Sequence, residues 1–152
     1  NGDWAVTNNS YSLSLAITEQ PCYVISGDLF FDPDLINELD KAGPNIVATQ
    51  MKENRTLSAV NVAVNEGYTI EEAYQGKLRN TEHPEAIGIF KISEPKLLRA
   101  WKRNCLEYGN LFVGQNIPYK EGVDVISYDV TSHRIDEVNT PMDYLRISQA
   151  AK

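Results

Sequence analysis

Cysteine, histidine and methionine are scarce in this chain, with two of each among 152 residues. So few sulfur and imidazole groups cannot build the repeated Cys/His spacing of a structural zinc module, and there is no C-x-x-C and no H-E-x-x-H. Long apolar runs are missing too: none approaches the ~18 residues of a membrane-spanning helix. No low-complexity tract or fixed-period repeat is present. Phosphate loops are absent as well. There is no G-x-G-x-x-G, and Gly76-Lys77 is no P-loop, because Glu71 stands where its first glycine should be and Leu78 follows the lysine. Neither a G-x-S-x-G elbow nor a kinase motif set occurs. Positive charge is short: 14 Lys and Arg face 21 Asp and Glu, giving a net charge of −7. Such a surface repels phosphate backbones and argues against a nucleic-acid partner.

What remains suits one domain over residues 1–152, long enough to bury about 68–70% of its unfolded surface without metal or crosslinks. The chain begins Asn1-Gly2-Asp3-Trp4, which reads as a processed secreted protein or a fragment. Cys22 and Cys105 fit either one long-range disulfide in an oxidising compartment or two buried thiols. Asn8-Asn9-Ser10 and Asn54-Arg55-Thr56 match the N-glycosylation pattern. Together these features set the expectation of an extracytoplasmic or secreted protein.

Hydrophobic periodicity gives the elements. Tyr11, Leu13 and Leu15 alternate with serine and alanine, the pattern of a half-buried strand over 11–17. Residues 22–31 are rich in β-branched and aromatic types but broken at Gly27-Asp28, so they read as one bent strand or two short ones. A helix follows, capped by Asp32, with Pro33 in its first position and Gly43 at its end. Residues 45–51 form a strand with Ile46 and Ala48 opposed to Val47 and Thr49. Residues 57–64 fit both a strand and a helix. The helical reading is preferred because Thr69-Ile70-Glu71-Glu72 is a capping box that opens a second helix to about Arg79. Residues 86–92 form a strand. Ser93 then caps a helix to Gly109, with Leu98, Trp101, Cys105 and Tyr108 as its apolar stripe. A short strand at 111–113, a loop at 114–122 and a strand at 123–131 follow. A last helix begins at Pro141, capped by Thr140, with Met142 and Leu145 facing inward. Mixed order without strict alternation points to an α+β domain with a mixed or antiparallel sheet and about four helices.

The densest cluster of catalytic residue types is VISYDVTSHRIDEV, residues 125–138. On a strand Ser127, Asp129, Thr131 and His133 share one face, and residues two apart lie about 6.6–6.8 Å from one another along it. Asp129 and His133 are then too distant to bond directly, while Thr131 reaches either. The cluster suits a hydrolase-like site with His133 as general base, oriented by Asp129 or Asp136, with Glu137 in reach. It suits better the solvated face of an antiparallel sheet, because its spacing matches no motif with a known mechanism.

Other clusters read more simply. Glu82, His83 and Glu85 offer metal-binding types, but Pro84 and the lack of a second nearby histidine favour a solvated loop. Asp28, Asp32, Asp34, Glu38 and Asp40 form an acidic run that fails the EF-hand pattern, since Asn37 stands where glycine is needed. Helix capping accounts for Asp32 and Asp34, and the rest reads as an acidic surface that meets a basic partner. Lys96, Arg99 and Arg103 form a solvated basic helix face.

The expectation is therefore a non-catalytic binding or inhibitor-type domain with an acidic surface. The alternative is a small hydrolase-like enzyme using His133, Asp129, Thr131 and Asp136. No cofactor, metal, nucleic acid or membrane span is expected. No motif specifies a protein or small-molecule ligand, or an oligomeric state.

Overall fold

In a computed structural model, residues 7–150 are described; the Asn1-Gly2-Asp3-Trp4 terminus lies outside them. The elements run α1 (Asn9–Ala16), β1 (Cys22–Ile25), β2 (Leu29–Phe31), α2 (Asp34–Ala42), β3 (Asn45–Gln50), β4 (Val60–Val64), β5 (Ile70–Gln75), β6 (Glu85–Ile92), α3 (Pro95–Glu107), a 3₁₀ turn (Val113–Asn116), β7 (Ile126–Asp129), β8 (Ile135–Glu137) and α4 (Pro141–Ala150). The expected class holds: a small α+β domain with a mixed sheet and, among the described residues, four α-helices.

The main sheet has the order β5-β4-β6-β3-β7, with β1 also paired to β6. β3 lies along one edge of β6 in antiparallel register, from Gln50 opposite Glu85 to Asn45 opposite Ile92. The other edge is shared. β1 occupies its upper part, Cys22–Ile25 against Ile92–Ile89, and β4 meets its lower end where Asn61 faces Glu85. β1 and β3 therefore run the same way, and β7 is parallel to β3. β2 and β8 form a separate antiparallel pair.

Alternation along β3 divides two apolar layers. Val47 joins Phe90, Ile92, Leu98 and Trp101 under α1 and α3. Ile46 and Ala48 join Leu35, Leu39, Ile87 and Ile89 under α2. Phe90 and Trp101 meet edge to face with ring centroids 5.5 Å apart. Asn45 ties sheet to helix: its Oδ1 accepts from the backbone N–H groups of Ser93 and Glu94 at 3.2 Å, where α3 begins.

Several expectations are corrected. Residues 11–17 are not a strand but most of α1. Its packed positions are Ser10, Leu13, Ser14 and Ile17, a helical spacing in which serines occupy the close-packed places. Ser10 is fully buried, and its Oγ accepts from Asn116 Nδ2 at 2.8 Å. The α1–α3 approach is close, since a Cβ on Gly109 would lie 3.1 Å from Tyr11 Cβ.

The expected helices at 57–64 and 69–79 are instead the β4–β5 hairpin. Asn65 decides this turn. Its Oδ1 accepts from the N–H groups of Gly67 and Thr69 at 2.9 and 3.1 Å, and Tyr68 adopts a left-handed φ of 62°. The alternating Val60, Val62 and Val64 then pair across to Ile70–Gln75.

The 111–113 strand is replaced by the 3₁₀ turn at Val113–Asn116. In α3 the capping residue is Glu94, not Ser93, and Tyr108 is half exposed rather than part of the buried stripe. In α4, Met142 and Leu145 are exposed and Ile147 is the buried anchor. Cys22 and Cys105 are both free thiols, one half-buried in β1 and one in the core of α3. Burial pushes the Cys105 thiol up to about 11, against a smaller opposing pull from Ser10.

Replacing Ser10 with valine tests the helical packing of α1. It adds bulk at a closed contact and removes the partner of a buried amide. Urea unfolding should show a loss of about 1–3 kcal/mol; unchanged stability would refute this packing.

Candidate active site in the crevice beside strand β6

β1 and β4 occupy the same edge of β6 end to end, and they do not meet. Ser26 N–H donates to Gly88 O at 2.9 Å where β1 departs, and Val62 N–H donates to Pro84 O at 2.9 Å where β4 is joined. Between these points Ala86 and Ile87 pair with neither β1 nor β4. A crevice of about 560 Å³ lies there, bounded by Ser26 and Asp28, by Lys52, Arg55 and Ser58, by Glu85 to Gly88, and by Glu137 and Asn139. It sits where the parallel strands β1 and β3 end, the place at which open sheets present their carboxyl ends to ligands.

Gly88 shapes the floor. Its φ is +81°, and a Cβ there would fall 2.4 Å from Ser26 Oγ. The β3–β6 register shifts between Val47 and Thr49, just opposite, so a bulge and a glycine together bring Ser26 against β6.

The β2–β8 pair brings three oxygen-bearing side chains to the crevice. Leu29 pairs with Glu137, and Val138 N–H donates to Asp28 O at 2.8 Å. Asp28 thus sits beside the end of β8, where Asn139 Nδ2 donates to Glu137 Oε2 at 3.0 Å. Among the described residues, no three His, Cys, Asp or Glu side chains converge as a complete metal cage. Two carboxylates and an amide oxygen are nonetheless the donor set of a hard divalent cation that completes its shell with water or phosphate.

The opposite rim is basic. Arg55 Nε donates to Lys52 O at 3.0 Å, and its terminal nitrogen donates to Asn61 Oδ1 and His83 O, each at 2.6 Å. Lys52 Nζ lies 3.5 Å from Glu85.

Of the residues singled out from 125–138, Glu137 borders the crevice and the others lie elsewhere. β7 ends at Asp129, and a turn carries the chain to β8. Asp129 accepts from the N–H and hydroxyl of Thr131, and Thr131 Oγ1 accepts from Met51 N–H at 3.0 Å. His133 meets neither Asp129 nor Asp136: its Nε2 is 2.9 Å from Glu38 Oε2, while Tyr128 donates to Glu38 Oε1 at 2.7 Å. The Tyr128 hydrogen bond, then the His133 one, holds the Glu38 carboxyl below its ordinary value. Asp136 is gripped by Arg146 and Arg134 at 2.8 and 2.7 Å, joining β8 to α4. His83 Nδ1 is 2.8 Å from Tyr74 OH. Lys96, Arg99 and Arg103 are not a free basic face, since they bind Glu121 O, Glu19 and Glu121.

No protein-family model and no curated protein matches this sequence. Solved structures do match. The CTP:phosphocholine cytidylyltransferase of Streptococcus pneumoniae superposes with a TM-score of 0.73 at 18% identity, over 100% of this chain and 67% of that one. The inositol-1-phosphate CTP transferase of T. maritima gives 0.65 at 17%, over 91% and 58%. A putative glucose-1-phosphate thymidylyltransferase from Bacillus anthracis gives 0.68 at 16%, over 96% and 61%.

The chain shares its fold with these three structures. This corrects the expectation of a non-catalytic, inhibitor-type binding domain and its hydrolase alternative, because the structures sharing the fold are transferases. The description as a binding protein falls with it, and Cys22 and Cys105 form no disulfide. The chain spans about three fifths to two thirds of the length of these neighbours.

Asp28 had a sequence signal that periodicity alone undervalues: a Ser-Gly-Asp at the exit of an apolar strand. By composition it belongs to an acidic run. Asn139 and Lys52 carry no local signal, because only tertiary pairing brings them to the crevice.

The Asp136 clamp has a pH signature. Hydrogen bonds from Arg146 and then Arg134 lower its folded carboxyl pKa from the ordinary 3.8. Its stabilisation is present above 3.8 and is lost as pH falls through the lowered folded value. Asp136→Asn should therefore be less stable than the parent at neutral pH. Urea midpoints of the two should converge as the solution is acidified below 3.8; a constant gap would count against the clamp.

Proposed function

We propose that this chain takes part in nucleotidyl transfer to a small phosphorylated alcohol. An oxygen of the acceptor phosphate attacks the α-phosphorus of a nucleoside triphosphate. The bond from that phosphorus to the bridging oxygen breaks, and its electron pair leaves with pyrophosphate. Nothing is oxidised or reduced.

The observation that carries this reading is that Asp28, Glu137 and Asn139 all border one crevice of this fold. Both substrates are polyanions, and the protein carries a net charge of −7. Local positive charge is therefore required. Asp28, Glu137 and Asn139 would hold a divalent cation of the magnesium kind, which screens the phosphates and the charge developing on the leaving group. The chain's own contribution is positional. β2–β8 pairing fixes the acidic end, Arg55 fixes the basic end, and the open edge of β6 forms the floor between them.

The test crosses CTP, UTP and dTTP with phosphocholine, inositol 1-phosphate and glucose 1-phosphate in magnesium buffer, with pyrophosphate release as readout. At least one pair should turn over, and Asp28→Asn should reduce kcat by at least about 100-fold. Absence of release with every pair, or turnover indifferent to Asp28→Asn, would refute the proposal.

A further inference from the structure

Among the described residues, Lys52 and Arg55 are the two cations bordering the large crevice. Arg55 is committed. Its guanidinium spans three segments, the exit of β3 at Lys52 O, the start of β4 at Asn61 Oδ1, and the approach to β6 at His83 O. Asn61 is fully buried, so this fork is anchored in the protein. A planar guanidinium with fixed donors suits that joint better than a lysine.

Lys52 is different. Its 3.5 Å approach to Glu85 is the longest of the ion pairs found among the described residues, where the others lie between 2.6 and 3.1 Å. Its side chain is 37% exposed, whereas Glu85 is 13% exposed. An ammonium so placed has spare donors, and a loose pair is readily exchanged for a dianion that offers several oxygens. Glu85 meanwhile supplies a counter-charge that competes with any incoming anion.

We infer that Lys52 is a specificity-determining residue that binds the phosphate of the acceptor, with Arg55 as its positioning residue and Glu85 as the counter-charge that the phosphate displaces. This deepens the nucleotidyl-transfer reading and rests on it for the word acceptor. The binding step itself is separately measurable. Lys52 lies on the rim across from Asp28, Glu137 and Asn139, so the crevice has an anion end and a cation end.

The test is an amide NMR titration of the full chain with glucose 1-phosphate, without metal or nucleotide, and in parallel with CTP. Signals of residues 52–56 and 85–88 should move with glucose 1-phosphate. Lys52→Met should weaken binding by about tenfold or more, the loss of one charge-assisted contact. Glu85→Gln should tighten it several-fold, an effect that a merely structural ion pair would not produce. Arg55→Lys should weaken it while leaving the unfolding transition cooperative.

Binding indifferent to Lys52→Met, or weakened by Glu85→Gln, would overturn the inference. So would CTP moving the Lys52 signal at lower concentration than glucose 1-phosphate, since the lysine would then read the nucleotide. Phosphate binding that follows this pattern without pyrophosphate release would uphold the phosphate site and sink the transferase reading. Turnover that survives Lys52→Met with unchanged acceptor KM would do the reverse.

Discussion

The edge of β6 is a fixed length of backbone hydrogen-bonding groups, and two strands share it without filling it. β1 leaves at Ile25 and β4 joins at Asn61. An unpaired stretch within a sheet normally invites pairing with another chain. Here the loops after β1 and β3 and the end of β8 wall it in, and the result is a crevice rather than a bare edge. The positive φ of Gly88 and the irregular register of β3 are the local adjustments that let β1 turn away. Side chains from distant parts of the sequence, Asp28, Lys52, Glu85 and Asn139, come together because of that geometry.

Charge is organised around the same feature. Most cations outside the crevice are spent on nearby acids or carbonyls. Arg99, Arg103 and Lys96 staple α3 to the segments beside it, and Arg146 holds α4 to β8. Lys91 binds the end of α2 through Leu39 O and Asp40 O, and Tyr23 also donates to Asp40. Glu38 links α2 to β7 and its following turn by taking Tyr128 and His133 together. Within the acidic run that looks like a surface for a basic partner, Glu38 and Asp40 join elements and Asp32 accepts from Asp34 N–H at the start of α2. Exposed pairs of this kind add little stability each, and their main effect is orientation. Within the crevice the pattern changes to a loosely paired lysine facing grouped oxygen donors.

Much of the fold was legible in the chain. β3 and β6 carry apolar alternation or runs bounded by turn residues, and α2 and α3 carry stripes with proline at or near the start. These signals are local and strong. α1 has the pattern of a strand because serines occupy buried places in its stripe, so hydrophobicity reports the wrong period. The β4–β5 hairpin has a helical signal because a capping-box sequence also suits a strand once Asn65 has set a turn before it. The site was less legible than the fold. Periodicity shows which side chains face inward, but Asp28 and Asn139 become neighbours only through β2–β8 pairing. The cluster at 125–138 drew attention by composition, yet the chain turns within it and sends His133 to Glu38 and Asp136 to two arginines.

The central claim is that Asp28, Glu137 and Asn139 form the cation end of the crevice. The most direct test is a manganese titration followed by paramagnetic broadening of backbone amide signals. Broadening should begin at residues 26–30 and 135–139 and should vanish in Asp28→Asn. Broadening centred on His83 and Glu85, or on Glu38 and His133, or no localised broadening at all, would contradict the account.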